Sequence, residues 1–364
     1  MRIAQVAPLY ESVPPRLYGG TERVVSYLTE ELVQMGHDVT LFASGDSKTL
    51  ARLVPCCPSA LRLNKDCIDP LAHHMLMLDR VMREADEFDI IHFHCDYLHY
   101  PLSRQRKVRN ITTLHGRLDL PDLAPLYREF TEMNVVSISN AQRVPLPWVN
   151  WQGTVYHGLP EDLFHLYPKP GEYLAFLGRI CPDKGIEAGI EIARRTGMEL
   201  RIAAKVDRSD ERYFEQVVKP MLDHPLVRFI GEISQREKGE FLGHALALLA
   251  PVNWPEPFGI SIIEAIACGT PVIAFPRGSV PEIVNQSKSG FVVRNVEEAV
   301  AAVKKVHRMS RKTCRKIFER RFTASRMAKD YVEIYKRLLG GKSDASATRR
   351  AREESQGSGI WVIQ

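Results

Sequence analysis

Short runs of Val, Ile, Leu and Phe alternate with longer amphipathic stretches along nearly the whole chain, and the alternation occurs twice. Residues 3–7 read as a first strand. Residues 21–35 place Val24, Val25, Leu28, Leu32 and Met35 on one face of an α-helix, and Gly36 stands where a helix should stop. Residues 39–42, 90–93, 111–114, 135–138 and 154–156 read as further strands. A Pro-containing stretch at 166–171 breaks the pattern, which then restarts. Strands are expected at 173–177, 200–204, 227–230, 246–250, 272–275 and 291–293, with helices at 186–195, 211–222, 236–243 and 260–267. Strands separated by helices run parallel and are covered on both faces. The chain is therefore expected to be α/β, with two doubly wound parallel-sheet units joined near residue 165. Ligands of such sheets bind beyond the carboxyl ends of the strands, so a cleft between the units is the expected site. Three helical stretches follow, the last at 327–339. From Gly340 the composition turns to Gly, Ser, Ala and mixed charge, and 341–364 is expected to be a disordered tail ending in a candidate docking peptide at 360–363.

Composition narrows the class. A length of 364 residues suits two domains, and 45% hydrophobic with 26% charged residues excludes a disordered or fibrous chain. No apolar run approaches the ~18–20 residues of a membrane-spanning helix, and no secretory pattern precedes the first strand. Seven cysteines without a Cys-x-x-Cys pair fit a reducing cytoplasm better than a disulfide framework. The formal charge of +5 is uneven: residues 304–326 hold ten Lys and Arg against Glu319 alone, so the rest of the chain is mildly acidic. That distribution excludes a uniformly basic nucleic-acid binder. Val303, Val306, Cys314, Ile317 and Phe318 give the basic segment an apolar side. It reads either as solvated helices packed on a domain or as an amphipathic element resting on an anionic membrane.

The most informative stretch is Glu256-Pro257-Phe258-Gly259-Ile260-Ser261-Ile262-Ile263-Glu264. Two carboxylates flank a Pro-Phe-Gly turn that opens a helix. Free N–H groups and the positive dipole end of a helix start suit phosphate or sugar hydroxyls, and Gly259 lets a ligand approach the backbone. The plainer alternative makes Glu256 a helix cap and Glu264 a surface charge, against which the apolar neighbours of Glu264 weigh. Leu177-Gly178-Arg179-Ile180-Cys181-Pro182-Asp183-Lys184-Gly185 leaves the first strand of the second unit with two cations near a strand end. Tyr18-Gly19-Gly20-Thr21 precedes the first helix without a Gly-x-Gly-x-x-Gly pattern, which counts against a dehydrogenase. Thr113-Leu114-His115-Gly116 and His157-Gly158 follow strands of the first unit.

Glu256-x7-Glu264 followed by Ala265-x-Ala267-x-Gly269-x-Pro271-Val272 resembles the signature of glycosyltransferase family 4, the glycosyl transferases group 1. These are retaining enzymes of GT-B architecture, with two Rossmann-like domains facing a cleft, and the resemblance covers roughly residues 1–340 with the motifs in family order. It implies an acceptor-side domain at 1–165, a donor domain at 166–325, and a helix at 326–340 packing back on the first domain. Arg179 and Lys184 would hold the donor diphosphate, while His115 and Glu256 orient the sugar near the reacting carbon; these four are the implied catalytic set. Gly19, Gly20, Lys205, Ile233, Phe258, Gly259, Ile260 and Glu264 are the implied donor-binding set, Glu264 accepting from the ribose and Ile233 offering its backbone to the base. Lys205 stands near a position where the family commonly has glycine, and His157 where many members have Asn. The implied reaction is retaining transfer from a UDP- or GDP-hexose to a hydroxyl of a glycan, glycolipid or small molecule, with no metal or other cofactor. The expected setting is the cytoplasm, with peripheral contact at the inner membrane face through 304–326 and no nucleic-acid partner. The architecture also hosts nucleotide-sugar epimerases, pyridoxal-phosphate phosphorylases and non-catalytic nucleotide-sugar-binding proteins.

Other groupings carry less. Cys56, Cys57, Cys67, His73 and His74 match no zinc spacing. Arg104, Arg106, Lys107 and Arg109 read as a solvated basic run, the alternative being contact with an anionic acceptor or membrane. His92, His94 and His99 read as structural, although His94 and Asp96 lie beyond a strand end on the cleft side. Residues 56–72 and 119–126 are the expected acceptor loops and hold no readable code.

Overall fold

The computed structural model describes residues 1–62 and 64–340. Among them, every strand pair in the two sheets is parallel. The first sheet contains β1 (Arg2–Val6), β2 (Asp38–Ser44), β3 (Arg52–Cys57), β4 (Ile90–Phe93), β5 (Asn110–Thr113), β6 (Val135–Ser137) and β7 (Trp151–Thr154), in the order β3-β2-β1-β4-β5-β6-β7. The second contains β8 (Tyr173–Arg179), β9 (Leu200–Lys205), β10 (Val227–Gly231), β11 (Ala245–Ala250), β12 (Val272–Ala274) and β13 (Gly290–Val292), in the order β10-β9-β8-β11-β12-β13. Each winds outward in both directions from its first strand. The crossovers therefore part between β1 and β4 and between β8 and β11, and a crevice opens there at the carboxyl ends.

Central strands such as β1 and β4 are buried on both faces and mostly apolar, which is why they read as strands despite the buried polar side chains of Gln5 and His92. Several elements are absent from the sequence reading, β3 and the helix Pro70–Arg83 the longest among them. β3 is an edge strand with Pro55 in it, and proline is tolerated at an edge while weakening the strand signal. The helix Pro70–Arg83 starts at Asp69, whose carboxylate accepts from the Leu71 and Ala72 amides. Three readings are corrected. The helix expected at 211–222 is broken into a short α turn, a π turn and a 3₁₀ turn, since Pro220 supplies no amide proton for a continuous ladder. The strand expected at 154–156 is β7, which ends at Thr154. The basic segment is two helices, Val296–Val306 and Arg311–Arg321, followed by the start of a third.

That segment's apolar side is buried in the protein. Arg311 is buried too, donating to the carbonyls of Tyr167, Ala245 and Gly243 at 2.6, 2.9 and 2.7 Å. Arg315 donates to Phe164 and Glu161 carbonyls. The outward cations are Lys304, Lys305, Arg308, Lys312, Lys316 and Arg320. The last helix, Ala324–Leu338, is capped by Thr323 and packs against the helix Gly20–Gln34, burying Tyr331 and Tyr335. The expected tail at 341–364, with its apolar end, lies outside the described residues.

Candidate functional site

Loops from both crevices meet around a cavity of about 370 Å³. From the first unit come Gly19 and Gly20 at the start of the helix Gly20–Gln34, and His115 just beyond β5. From the second come Arg179 at the end of β8, Lys184 in the following turn, Lys205 at the end of β9 and Ile233 beyond β10. The loop after β11 adds Glu256 and Phe258, and the helix Ile260–Ala267 adds Ile260 and Glu264, with Gly259 between them. All twelve residues named from the sequence line this one cavity. The units also touch directly: Tyr18 N–H donates to Glu232 at 3.1 Å, and Ser139 to the Pro257 carbonyl at 2.7 Å.

The charges are arranged in partly buried pairs. Lys184 Nζ lies against Glu256 Oε2, which also accepts from Trp254 Nε1 at 3.0 Å. The Trp254 ring centre is 5.2 Å from Lys184 Nζ and 5.6 Å from the Arg117 guanidinium. Burial opposes the charge on Lys184, and the Glu256 carboxylate outweighs it, holding the ammonium above its ordinary pKa. Arg179 is less tightly held, 3.5 Å from Asp207 and 3.6 Å from Asp210. Lys205 shares Asp207 at 3.0 Å and sits over the Tyr18 ring. Glu264 is 2% exposed and pairs with Lys238 at 2.9 Å.

The backbone between these pairs is built for close approach. Gly259 takes φ +85°, a left-handed value that favours glycine, and no side chain caps the helix it precedes. The first amides of that helix therefore face a site ringed by cations, a geometry suited to phosphate. Behind Glu256, a β-carbon on Gly278 would lie 2.3 Å from the Glu256 carbonyl oxygen and 2.5 Å from its nitrogen. Glycine is required there.

The histidines form the opposite wall. His115 and His157 stack with centroids 5.2 Å apart, and His157 packs edge-on to Phe258. Burial pushes the His115 pKa down to about 3, so its ring is neutral at physiological pH and is an uncharged hydrogen-bonding group. His99 is structural, stacked on Phe93 and bonded to Thr112 and Ser103. His92 is buried in the first unit, whereas His94 touches His115 directly at 2.9 Å. The Cys56, Cys57, Cys67, His73 and His74 grouping makes no metal-holding cluster among the described residues, and both ring nitrogens of His74 are engaged, by the Leu9 amide and the Pro70 carbonyl.

Sequence reading missed Lys238, Trp254, Asp207, Asp210 and Gly278. Trp254 stands two residues from Glu256 and could have been flagged by that closeness. Lys238 gave no signal, because which face of the helix Gln235–Gly243 meets Glu264 depends on how that helix packs.

Comparison with known proteins follows the same division. The model described as Glycosyltransferase Family 4 matches residues 18–149, and that described as Glycosyl transferases group 1 matches 164–321. The chain is 29% identical over 166 residues to the probable sucrose-phosphate synthase of Thermosipho melanesiensis. That match covers 43% of this chain and 39% of the relative, so the chain spans less than half the length of that relative. It is 25% identical over 332 residues to the phosphatidyl-myo-inositol mannosyltransferase of Mycolicibacterium smegmatis, covering 80% and 81% of the two chains. The fold is similar to that of Anabaena HepE, solved in complex with UDP and glucose, with a TM-score of 0.70, 17% identity and coverage of 92% and 98%.

Proposed function

The chain belongs to glycosyltransferase family 4, the glycosyl transferases group 1, and from that premise we propose that it moves a hexose from a nucleoside-diphosphate sugar to a hydroxyl acceptor with retention at the anomeric carbon. The observation that carries this reading is the convergence of Arg179, the Lys184–Glu256 pair and the uncapped start of the helix Ile260–Ala267 at one crevice. In this reading residues 166–325 hold the donor and 1–165 present the acceptor. The diphosphate lies on Arg179, Lys184 and the amides after Gly259. Glu264, already balanced by Lys238, accepts from the ribose, and the backbone at Ile233 meets the base. Glu256 and His115 orient the sugar from opposite walls, with Gly19 and Gly20 bringing backbone close to it.

As the anomeric carbon–oxygen bond to phosphate breaks, negative charge grows on the diphosphate, where fixed cations stabilise it more than in the ground state. The acceptor oxygen bonds to the same face of the carbon, and its proton passes to the departing phosphate oxygen. Protein cations supply the charge compensation, so the reading requires no metal. Among the described residues no helix is long and apolar enough to cross a membrane. A cytoplasmic enzyme resting on an anionic membrane face through Lys304, Lys305, Arg308, Lys312, Lys316 and Arg320 accords with their outward placement, although no apolar side remains there to insert.

A panel of UDP-, GDP- and ADP-hexoses tests the proposal by thermal melting, since a ligand that binds only the folded chain raises the midpoint. One donor should raise it in the wild type and lose that effect in Arg179→Ala. A panel without any stabilising member overturns the reading.

A further inference from the structure

Behind His115 runs a continuous string of buried polar groups that ends on the C-terminal helix. His115 Nε2 is 2.9 Å from His94 Nδ1, and His94 Nε2 is 2.8 Å from Gln5 Oε1. Gln5 Nε2 is 3.3 Å from Tyr335 Oη, which lies 2.6 Å from His92 Nδ1. His92 Nε2 then reaches Thr113 Oγ1 at 2.7 Å, and Thr113 reaches Tyr331 Oη at 2.8 Å. Strands β1, β4 and β5 and the helix Ala324–Leu338 each contribute. Gln5, His92, His94, Thr113, Tyr331 and Tyr335 are all at most 2% exposed, so water does not compete for these bonds.

The sense of this string follows from one amide. The Gln5 oxygen can only accept, so His94 carries its proton on Nε2 and keeps a lone pair at Nδ1. His115 Nε2 faces that lone pair and must donate to it. His115 Nδ1, buried and without a hydrogen-bond partner among the described residues, is then a bare acceptor. On the other side Tyr335 accepts from Gln5, gives its proton to His92 Nδ1, and His92 donates onward to Thr113. Turning the Gln5 amide over would reverse every bond and give His115 an N–H at Nδ1 instead.

We propose that Gln5 and Tyr335 are positioning residues for transfer: through His94 they lock His115 in the Nε2–H tautomer, so that this half-buried ring at the cavity wall keeps no N–H free and has only an acceptor left to offer. The inference rests on the proposed function only in placing the sugar at His115. Without Tyr335 Oη, the Gln5 amide has no acceptor for its N–H and is free to turn. Replacing Gln5 by Met removes the fixed acceptor of His94 altogether. In either case both tautomers of His115 become accessible.

Proton–nitrogen correlation spectra of nitrogen-labelled histidines in the full chain, recorded without donor, read the tautomer directly. The wild type should show His115 protonated on Nε2, and Tyr335→Phe and Gln5→Met should each show a mixture or the reverse. Turnover at saturating donor should then fall roughly fivefold to tenfold in each variant, about one hydrogen bond's worth, with the donor KM changing less. Wild-type His115 protonated on Nδ1, or both variants keeping the Nε2–H form, overturns the inference. So does a shifted tautomer with undiminished turnover. Because the spectra need neither donor nor acceptor, the tautomer result stands or falls apart from the proposed reaction.

Discussion

Lys184 is held by opposing forces. Its burial beside Trp254 disfavours the charge, and contact with Glu256 restores it. Lys184→Ala removes the cation and leaves Glu256 buried without a counter-ion, so both turnover and stability should drop. Turnover should fall about 10²–10³-fold, the range for deleting one preorganised transition-state contact. Adding Glu256→Gln should return the melting temperature toward wild type while leaving the enzyme inactive, because the unpaired charge is gone but the cation is still missing. Lys238 poses the same question at the other carboxylate. Lys238→Ala strands Glu264, which is 2% exposed, and should destabilise the fold by about 3 kcal/mol in denaturant unfolding. Glu256, Glu264, Arg179 and Lys184 were visible in the sequence since each lies in a short contiguous motif. Lys238 was not, because its partner lies 26 residues away and only packing brings them together.

At the scale of elements, the site depends on turns as much as on side chains. The loop after β11 is held from behind by the turn at Gly278 and Ser279. Ser279 N–H donates to the Glu256 carbonyl at 2.9 Å, and the Ser279 hydroxyl donates to the Phe258 carbonyl at 2.8 Å. Gly278 has φ +56°, and any β-carbon would collide with Glu256 backbone atoms. Gly278→Ala should therefore displace Glu256 and lower kcat/KM at least about tenfold, as a shift of ~1 Å can do in a preorganised site. Steady-state kinetics alongside a melting curve check it, and unchanged kinetics would show that the turn does not position Glu256. Most strands were legible because burial on both faces leaves short, mostly apolar runs, and most long helices because one apolar face recurs at helical spacing. The broken segment at 211–223 shows the limit: its apolar spacing is helical, but Pro220 has no amide proton to continue the ladder.

Across the whole molecule, one apolar cluster runs from Ile3 and Val24 through Phe258 and Ile263 to Tyr331 and Tyr335, so the C-terminal helix joins both units. His92, His94, His99 and His157 are buried and His115 is half-buried at the cavity wall, and all five have pKa values pushed below the ordinary 6.5, first of all by desolvation. Folded, they refuse protons that the unfolded chain binds below about pH 6.5. The stability they contribute is complete above that value and is lost as pH falls toward their folded pKa values, about 3 for His115. Each should forfeit roughly 1.4 kcal/mol per pH unit in that window. Denaturant unfolding at pH 7.5 and 5.5 should show a drop of several kcal/mol, and equal stabilities would contradict the buried neutral histidines. The amino-acid order alone establishes the alternation of strands and helices, its occurrence twice along the chain and the local motifs, because these are written in neighbouring residues through apolar periodicity and turn chemistry. It leaves open which motifs share a crevice, which carboxylate each cation meets and which nitrogen of His115 holds the proton. Those depend on contacts between residues up to 330 positions apart, as Gln5 and Tyr335 are, and such contacts exist only once both sheets and the final helix have packed.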